Sequence, residues 1–588
     1  MSKIFKSPFK LTATVDFPGE TTYGVFTTDL LKQFIQSLKS AGVTRINWIY
    51  YGDISDDSFW AGSIFSNTTY GLETLSLIGE PLSAAVPIAH SMGMEIYGVL
   101  KPYNTGGSAT IPDGVAQKPD LFLPRVGGKL TQFIPFIKRY PEKRIQRFNY
   151  HEVKGPIEFI RLYKSDDRET RISKDNIQIW ISNNNYEYRL LETDFNFKQF
   201  SEPAEKDVCD YYGEILTKKN NYVRVIELNG FRIQENFCVI TTNLTGQGDF
   251  NNSACEMIKV YNSNMKEIPV SVATRSDIWN YNRNFETNGL EYDSGWGSFK
   301  YTLDTNNDSS KCDFFWSDLP AHGVIGIARD KNRFLPTAPC EVYPEVKKLW
   351  LGWIRNILST GVDGVDIRVS AHGTLTDEPY SYGFNSPILE EYHNKFGDEN
   401  LDLLKVSSIR GEHFTNFIRT ASLMTRNLGK KMQVHIHTEI FRDNPSPGQI
   451  MGCPVNIFFD YQKWFDENLI DLVTLRSSWF EGLEDPPESD SYRSKLDYIF
   501  ADDVFKNAIN LCIENKSDIF LNRYIGRAVK FDEYLDDLER VYHDSRFAGF
   551  DLYESMDLIR SNGSTGSLVQ VEDKLDRIKC KLNKLDLI

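Results

Sequence analysis

Charged and polar side chains recur at alternate positions where short apolar runs end. In GVDGVDIRVSAHG, residues 361–373, Val365, Ile367 and Val369 take one face of an extended chain and leave Asp366 and Arg368 on the other. The run KMQVHIHTE, residues 431–439, sets Val434 and Ile436 against His435, His437 and Glu439 by the same alternation. Later runs place Thr474 with Arg476, Asn522 with Tyr524, and Asp551 with Tyr553, the last followed at once by Glu554. Runs nearer the start add Asp16, Asn47, Tyr51 and Lys101. An interior filled for stability alone would be Val, Ile and Leu, and burying such polar groups is costly unless they are paired or put to use. A structural ion pair, Asp366 with Arg368 for instance, would account for one or two of them.

Hydrolysis of a glycosidic bond needs two carboxyl groups flanking the bond, one protonated as acid and one ionised as nucleophile or base. Asp366, Glu439 and Glu554 are the candidates. Arg368, two residues along on the same face, would favour an ionised Asp366 as nucleophile or base. Glu439, closing a strand beneath two histidines, suits the acid, and Glu554 competes for either role. Lys101, Arg368, Asn522, Arg523 and Tyr524 would hold substrate, with His435, His437 and Asp551 beside them and Trp479 or Trp316 as a stacking platform. His372, Asp377, Glu378 and Tyr382, in the loop after Asp366, would form one cleft wall. Such chemistry calls for no cofactor. One rival is a divalent metal held by His435 and His437 with Asp366, Glu439 or Asp551. Another is a barrel that binds carbohydrate and breaks no bond.

What must position these residues is a set of strands alternating with helices. Eight strand-like runs occur at 11–17, 44–51, 94–103, 361–369, 431–439, 470–478, 518–524 and 547–554. Amphipathic helices fit before the second, third, fourth and fifth, starting at Thr27, Pro81, Pro344 and Phe414, and three end at or next to a glycine stop. Eight such units predict an α/β chain, a (β/α)8 TIM barrel, whose chemistry sits at the C-terminal ends of the strands. The long gap after the third strand reads as β: GPIEFIRLYKS, DNIQIWISNN, EYRLLET, NYVRVIELNG, ENFCVITTN and MIKVYNSN alternate between Asn, Asp and Gly turns. The expected division is a first barrel part at 1–125, an inserted β-sandwich at 141–300, a possible carbohydrate-binding module, and a second barrel part at 310–588.

Composition narrows the partners. The chain has 588 residues, 41% hydrophobic and 25% charged, a globular balance, and no run approaches the roughly 18 apolar residues a membrane span needs. A net charge of −15 with no basic stripe excludes a phosphate-tracking nucleic-acid binder and favours a neutral substrate. Aromatics at 13% are compatible with sugar stacking. The eight cysteines are scattered without CxxC spacing and read as free thiols. The start MSKIFKSPFK has no apolar h-region, so the expectation is a cytoplasmic chain or one whose signal was removed. Neither oligomeric state nor the sugar is legible.

The run at 328–397 joins a helix ending in GVDG, a strand closing in an aspartate, and a loop reaching YGFN-P-EEY. It resembles the family 10-like glycosyl hydrolase barrels of bacteria, and AHSMGMEIYGVLKPY, residues 89–103, is similar to their third-strand segment. The resemblance implies a carbohydrate-active TIM barrel with a cleft across its top. True family 10 xylanases carry a glutamate acid after strand four and a glutamate nucleophile on strand seven, where this chain has Asp366 and Asn522 with Arg523. An aspartate on strand four is instead similar to α-fucosidase and α-galactosidase barrels, which implies an α-linked or deoxy sugar. The segment KSDDRETRISKDNIQIWISNNNYEYRLL resembles the galactose-binding, discoidin-like jelly rolls.

Overall fold

A computed structural model describes residues 9–21, 23–51, 69–109, 130–148, 155–183, 189–209, 215–242, 258–268, 270–274, 299–303, 312–316, 325–328, 333–371, 379–397, 400–438, 453–476, 495–525, 531–563 and 566–587. Eight parallel strands pair in chain order: Lys10–Val15, Val43–Ile49, Glu95–Leu100, Gly364–Ile367, Lys431–His437, Leu472–Arg476, Asp518–Tyr524 and Gly549–Tyr553. The first strand also pairs with the eighth, Lys10 opposite Gly549, and closes the barrel. This is the TIM barrel expected from the alternation.

Helices cover the outside because their sequences carry one apolar stripe. Thr28–Ser40 buries Leu30, Leu31, Phe34, Ile35 and Leu38, and its N-cap Thr27 accepts a hydrogen bond from the Leu30 amide. Pro344–Ser359 buries Val346, Trp350, Ile354 and Ile357. The helix expected from Phe414 starts earlier, at Leu403, with Asp402 capping its amides. Its added turns bury Arg410, whose guanidinium pairs with Glu341 at 2.5 Å, both side chains closed to solvent.

Inside, the barrel is filled in layers. Near the N-terminal ends, Arg45 lies between the rings of Tyr97 and Phe520, at 4.5 and 4.2 Å. Glycines make the room: a Cβ at Gly364 would stand 2.6 Å from the Tyr97 ring, and one at Gly549 would stand 2.5 Å from Phe520. The next layer centres on Asp551, which is fully buried and accepts from Thr12 at 2.7 Å, Thr14 at 2.8 Å, Asn47 at 3.0 Å and Asn522 at 2.6 Å. Four donors from three strands, the first, second and seventh, hold that carboxylate in place.

Between the third and fourth barrel strands lie two five-stranded antiparallel sheets. One runs Asn196–Pro203, Tyr222–Ile233, Ile157–Tyr163, Ile258–Tyr261, Glu267–Ile268; the other runs Ser271–Thr274, Ile325–Ala328, Phe237–Thr242, Ile177–Ser182, Arg189–Leu190. Ile160, Leu162, Ile226 and Leu228 of the first share a core with Ile177, Ile179, Ile181 and Ile240 of the second. The second sheet reaches Ala328, past the boundary at 300 expected for this unit.

The chain leaves for these sheets through Arg144–Gln146 and returns through Phe334–Pro339, and the two segments pair antiparallel. At the far end of this neck the Arg147 amide donates to the Arg333 carbonyl at 2.8 Å. Buried Asn385 joins the neck to the barrel, accepting from the Gln146 amide and donating to the Arg144 carbonyl. Among the described residues no helix is long and apolar enough to cross a membrane.

Candidate active site

The C-terminal ends of the strands gather ionisable groups. Asp16 follows directly on the first strand; Tyr51 donates its hydroxyl to Oδ1, and Lys101 donates Nζ to Oδ2 at 3.1 Å. Burial pulls the Lys101 ammonium below the usual lysine range, against the attraction of Asp16. The ammonium also reaches the Tyr51 hydroxyl at 3.3 Å, so strands one to three are tied together at the mouth.

Across the barrel, Arg368 projects from beyond the fourth strand over the ring of Tyr553 at 4.5 Å, and Arg476 of the sixth lies over the same ring at 4.4 Å. Arg368 donates Nε to Ser370 Oγ at 2.8 Å, while its buried Nη1 has no partner. His437 is 2% exposed, and neither ring nitrogen has a hydrogen-bond partner. Burial drives this imidazole well below the usual histidine range, with Arg476 and Arg368 pushing the same way, so it is held neutral.

Beside Asp16 stand two more carboxyl groups. Glu554, directly after the eighth strand, is partly accessible, and burial raises its pKa, with the charge of Asp16 raising it further. Tyr524 hydrogen-bonds it. Its backbone is left-handed, φ 66° and ψ 83°, a conformation that costs a non-glycine residue about 1 to 3 kcal/mol and persists where the surroundings impose it. Glu20, in the short helix Phe17–Thr21, is fully buried, accepts from Ser555 Oγ, and is pushed well above the carboxylate range by burial.

Asp366 lies deeper. It is 0% exposed; its Oδ2 accepts from Gln433 Nε2 at 3.0 Å and stands 2.7 Å from His435 Nε2, off the line of a hydrogen bond. The expected pairing of Asp366 with Arg368 is not made; cross-strand neighbours take its place. Three expected substrate contacts are also engaged elsewhere. Arg523 occupies an outward position of the seventh strand and pairs with Asp537 of the helix Phe531–His543 at 3.1 Å. Asp551 sits in the sealed layer below with its oxygens occupied, and Asn522 donates into it. Tyr382 is buried beneath the Arg147 guanidinium at the neck. Glu439, Trp479, His372, Asp377 and Glu378 lie outside the described residues.

The structure therefore brings together Lys101, Arg368, His437, Tyr524 and Glu554, with Asp366 and His435 beneath them. Sequence reasoning passed over Glu20, Ser370 and Gln433. Gln433 stands one pleat before His435, where the same alternation places it inward; Glu20 lay inside FPGET, which carries no strand or helix signature. Among the described residues no three His, Cys, Asp or Glu side chains gather as a metal-ligand group.

No family model and no curated protein matches the chain. Solved structures similar to it include glycoside hydrolases. A GH18 chitinase from Pseudoalteromonas aurantia aligns at 10% identity and a TM-score of 0.22, over 40% of this chain and 67% of that one. The β-galactosidase from the psychrophilic Marinomonas ef1 aligns at 8% identity and a TM-score of 0.39, over 98% of this chain and 60% of that one. The trehalose-6-phosphate hydrolase of Bacillus licheniformis aligns at 8% identity and 0.32, over 93% and 64%. At these values the likeness adds nothing to the barrel that the strand pairing establishes, and it does not show the family 10-like group.

Proposed function

We propose that this chain hydrolyses O-glycosyl bonds of an oligo- or polysaccharide at the C-terminal face of its barrel, with Glu554 as proton donor and Asp16 as the partner carboxylate. The observation that carries this reading is the contrast between the two groups. Glu554 is partly accessible and its proton is retained by burial and by the neighbouring Asp16 charge, whereas Asp16 is held by Lys101 and Tyr51. Such a pair divides the labour of glycoside cleavage: Glu554 gives its proton to the departing glycosidic oxygen, and the second carboxylate attacks the anomeric carbon or activates water. Tyr524, against both Glu554 and the Tyr553 ring at 5.6 Å, orients the donor.

The pair expected from sequence, Asp366 with Glu439, is the second reading. It is favoured by the unpartnered Oδ1 of Asp366. The two-sheeted insert is proposed as an accessory domain spanning 155–328 that holds polymeric substrate near the cleft, the barrel taking the residues on either side.

Reducing-sugar release from a panel of polysaccharides and aryl glycosides tests the assignment. Glu554→Gln and Asp16→Asn each lower kcat by about 10³-fold, the range of a lost acid or base. Full activity in both variants with loss in Asp366→Asn and Glu439→Gln transfers the chemistry to the second pair. Sugar binding without turnover on any substrate leaves the non-hydrolytic barrel.

A further inference from the structure

The two carboxyl groups proposed to act lie on different stretches of chain, Asp16 directly after the first barrel strand and Glu554 directly after the eighth. Beyond these points the two stretches dock on each other. Ser555 Oγ donates to the Glu20 carboxyl, Ser561 Oγ to the Val25 carbonyl at 3.1 Å, and the Gly563 amide to the Tyr23 carbonyl at 2.8 Å. At Gly19 the approach is so close that a Cβ would stand 2.5 Å from Met556 Sδ. Of these hydrogen bonds, the one nearest the carboxyl pair joins Glu20 to Ser555, four residues beyond Asp16 and one beyond Glu554. Glu20 is fully buried, and burial keeps its proton against the pull of the Ser555 hydrogen bond, with the charges of Asp16 and Glu554 adding to the effect. A neutral carboxyl can stand beside those two groups where another charge would drive the stretches apart.

We infer that Glu20 is a positioning residue for the proposed pair: through Ser555 it holds the Glu554 turn in its left-handed conformation and so sets the separation of Glu554 from Asp16. The inference rests on the reading of Glu554 and Asp16 as the acting carboxyl groups. Backbone at φ 66° is unfavourable for a glutamate and persists only where its neighbours impose it. Tyr524 holds the Glu554 side chain, and the Asp557 amide closes the turn on the Glu554 carbonyl at 3.2 Å, but neither ties the turn to the stretch that carries Asp16. Glu20 does so with a directed bond. The separation decides the chemistry, because a gap of about 5 to 5.5 Å leads through a covalent glycosyl intermediate to retention, and one of roughly 6.5 to 9.5 Å admits a water and leads to inversion. A misplacement of about 1 Å lowers a rate on the order of a hundredfold.

Crystal structures of the full chain as wild type, Glu20→Ala and Ser555→Ala read the geometry without any substrate. In both variants Glu554 leaves the left-handed region and its carboxyl group shifts relative to Asp16; a Glu554 that keeps φ near 66° and its distance to Asp16 in both overturns the inference. Kinetics on the sugar panel read the consequence: Glu20→Ala lowers kcat about tenfold to a hundredfold with KM within about twofold, and Glu20→Gln, which still accepts from Ser555, restores it. A Glu20→Gln as slow as Glu20→Ala also overturns it. Where Glu20→Ala fails to fold by circular dichroism, Ser555→Ala, which deletes only a hydroxyl, carries both measurements. Full kcat in Glu20→Ala and Ser555→Ala beside loss in Glu554→Gln overturns the positioning role and leaves the glycosidase pair standing. A turn that moves in the variants while Glu554→Gln keeps full activity removes the pair and leaves Glu20 as the residue that holds the turn.

Discussion

Nε2 of His435 stands 2.7 Å from Oδ2 of Asp366 at a depth where neither side chain is more than 1% exposed. Gln433 holds the same oxygen from the same strand. A carboxylate so enclosed is out of reach of a substrate, and in the proposed function it acts only through its neighbours, the imidazole beside it among them. Asp366→Asn, which keeps the shape and removes the charge, therefore lowers kcat by about tenfold to a hundredfold with KM little changed, the scale of a lost supporting contact. Steady-state kinetics check this, and a loss as large as that of Glu554→Gln would place Asp366 in the chemistry.

With Glu554 as the proposed proton donor, this residue sets the alkaline side of the pH profile. An acid catalyst works while protonated, and its raised pKa keeps the proton to higher pH than an ordinary glutamate would. The alkaline limb of kcat/KM lies above the usual glutamate range. Asp16→Asn removes a charge that raises Glu554, so in its residual activity that limb moves to lower pH.

Asp551 anchors the barrel layer below the site. Asp551→Leu leaves Thr12, Thr14, Asn47 and Asn522 donors without their acceptor, and urea unfolding should show a loss on the order of 3 to 5 kcal/mol. A loss under about 1 kcal/mol would mean that the four donors find other partners.

Glu20 links stability to pH in the opposite sense from a salt-bridged carboxylate. Its folded pKa lies above its unfolded value, so its contribution is fully present below the usual glutamate pKa and is lost as pH rises toward the folded value. Glu20→Gln accepts the same Ser555 hydrogen bond without ionising. The variant should match the native chain in Tm near pH 4 and exceed it at pH 7 and above.

Joining Arg147 to Arg333 through a short linker excises the two sheets at a point where the backbone already comes within 2.8 Å. The shortened chain folds and keeps its turnover of aryl glycosides, while release from polymers falls. Equal loss on both substrate types would make the sheets a structural part of the cleft.

The eight barrel strands were legible because each is a short apolar run with strict alternation, and the structure differs from the expected limits only at their ends. What alternation does not give is the height of a residue in the barrel. Asp366 and Arg368 share a face but are separated by two residue rises, roughly 6.6 Å, whereas cross-strand neighbours lie about 5 Å apart, so Asp366 meets His435 and Gln433. Arg410 hid the first turns of its helix: it reads as a surface residue, yet its pairing with Glu341 lets it lie in the core. The returning strand Ile325–Ala328 was missed because it pairs with Phe237–Thr242 and Ser271–Thr274, far back in the chain.

The paired neck also bears on how the molecule is made. Barrel strand four pairs with strand three, yet during synthesis it emerges only after both inserted sheets. Until then strand three has an open edge, of the kind that invites pairing with the wrong chain. Once the sheets have folded and Arg144–Gln146 has zipped to Phe334–Pro339, the long excursion behaves as a short loop, and closing the barrel costs far less chain entropy. The insert must therefore fold early for the barrel to close at all quickly, which makes the neck a control point of assembly.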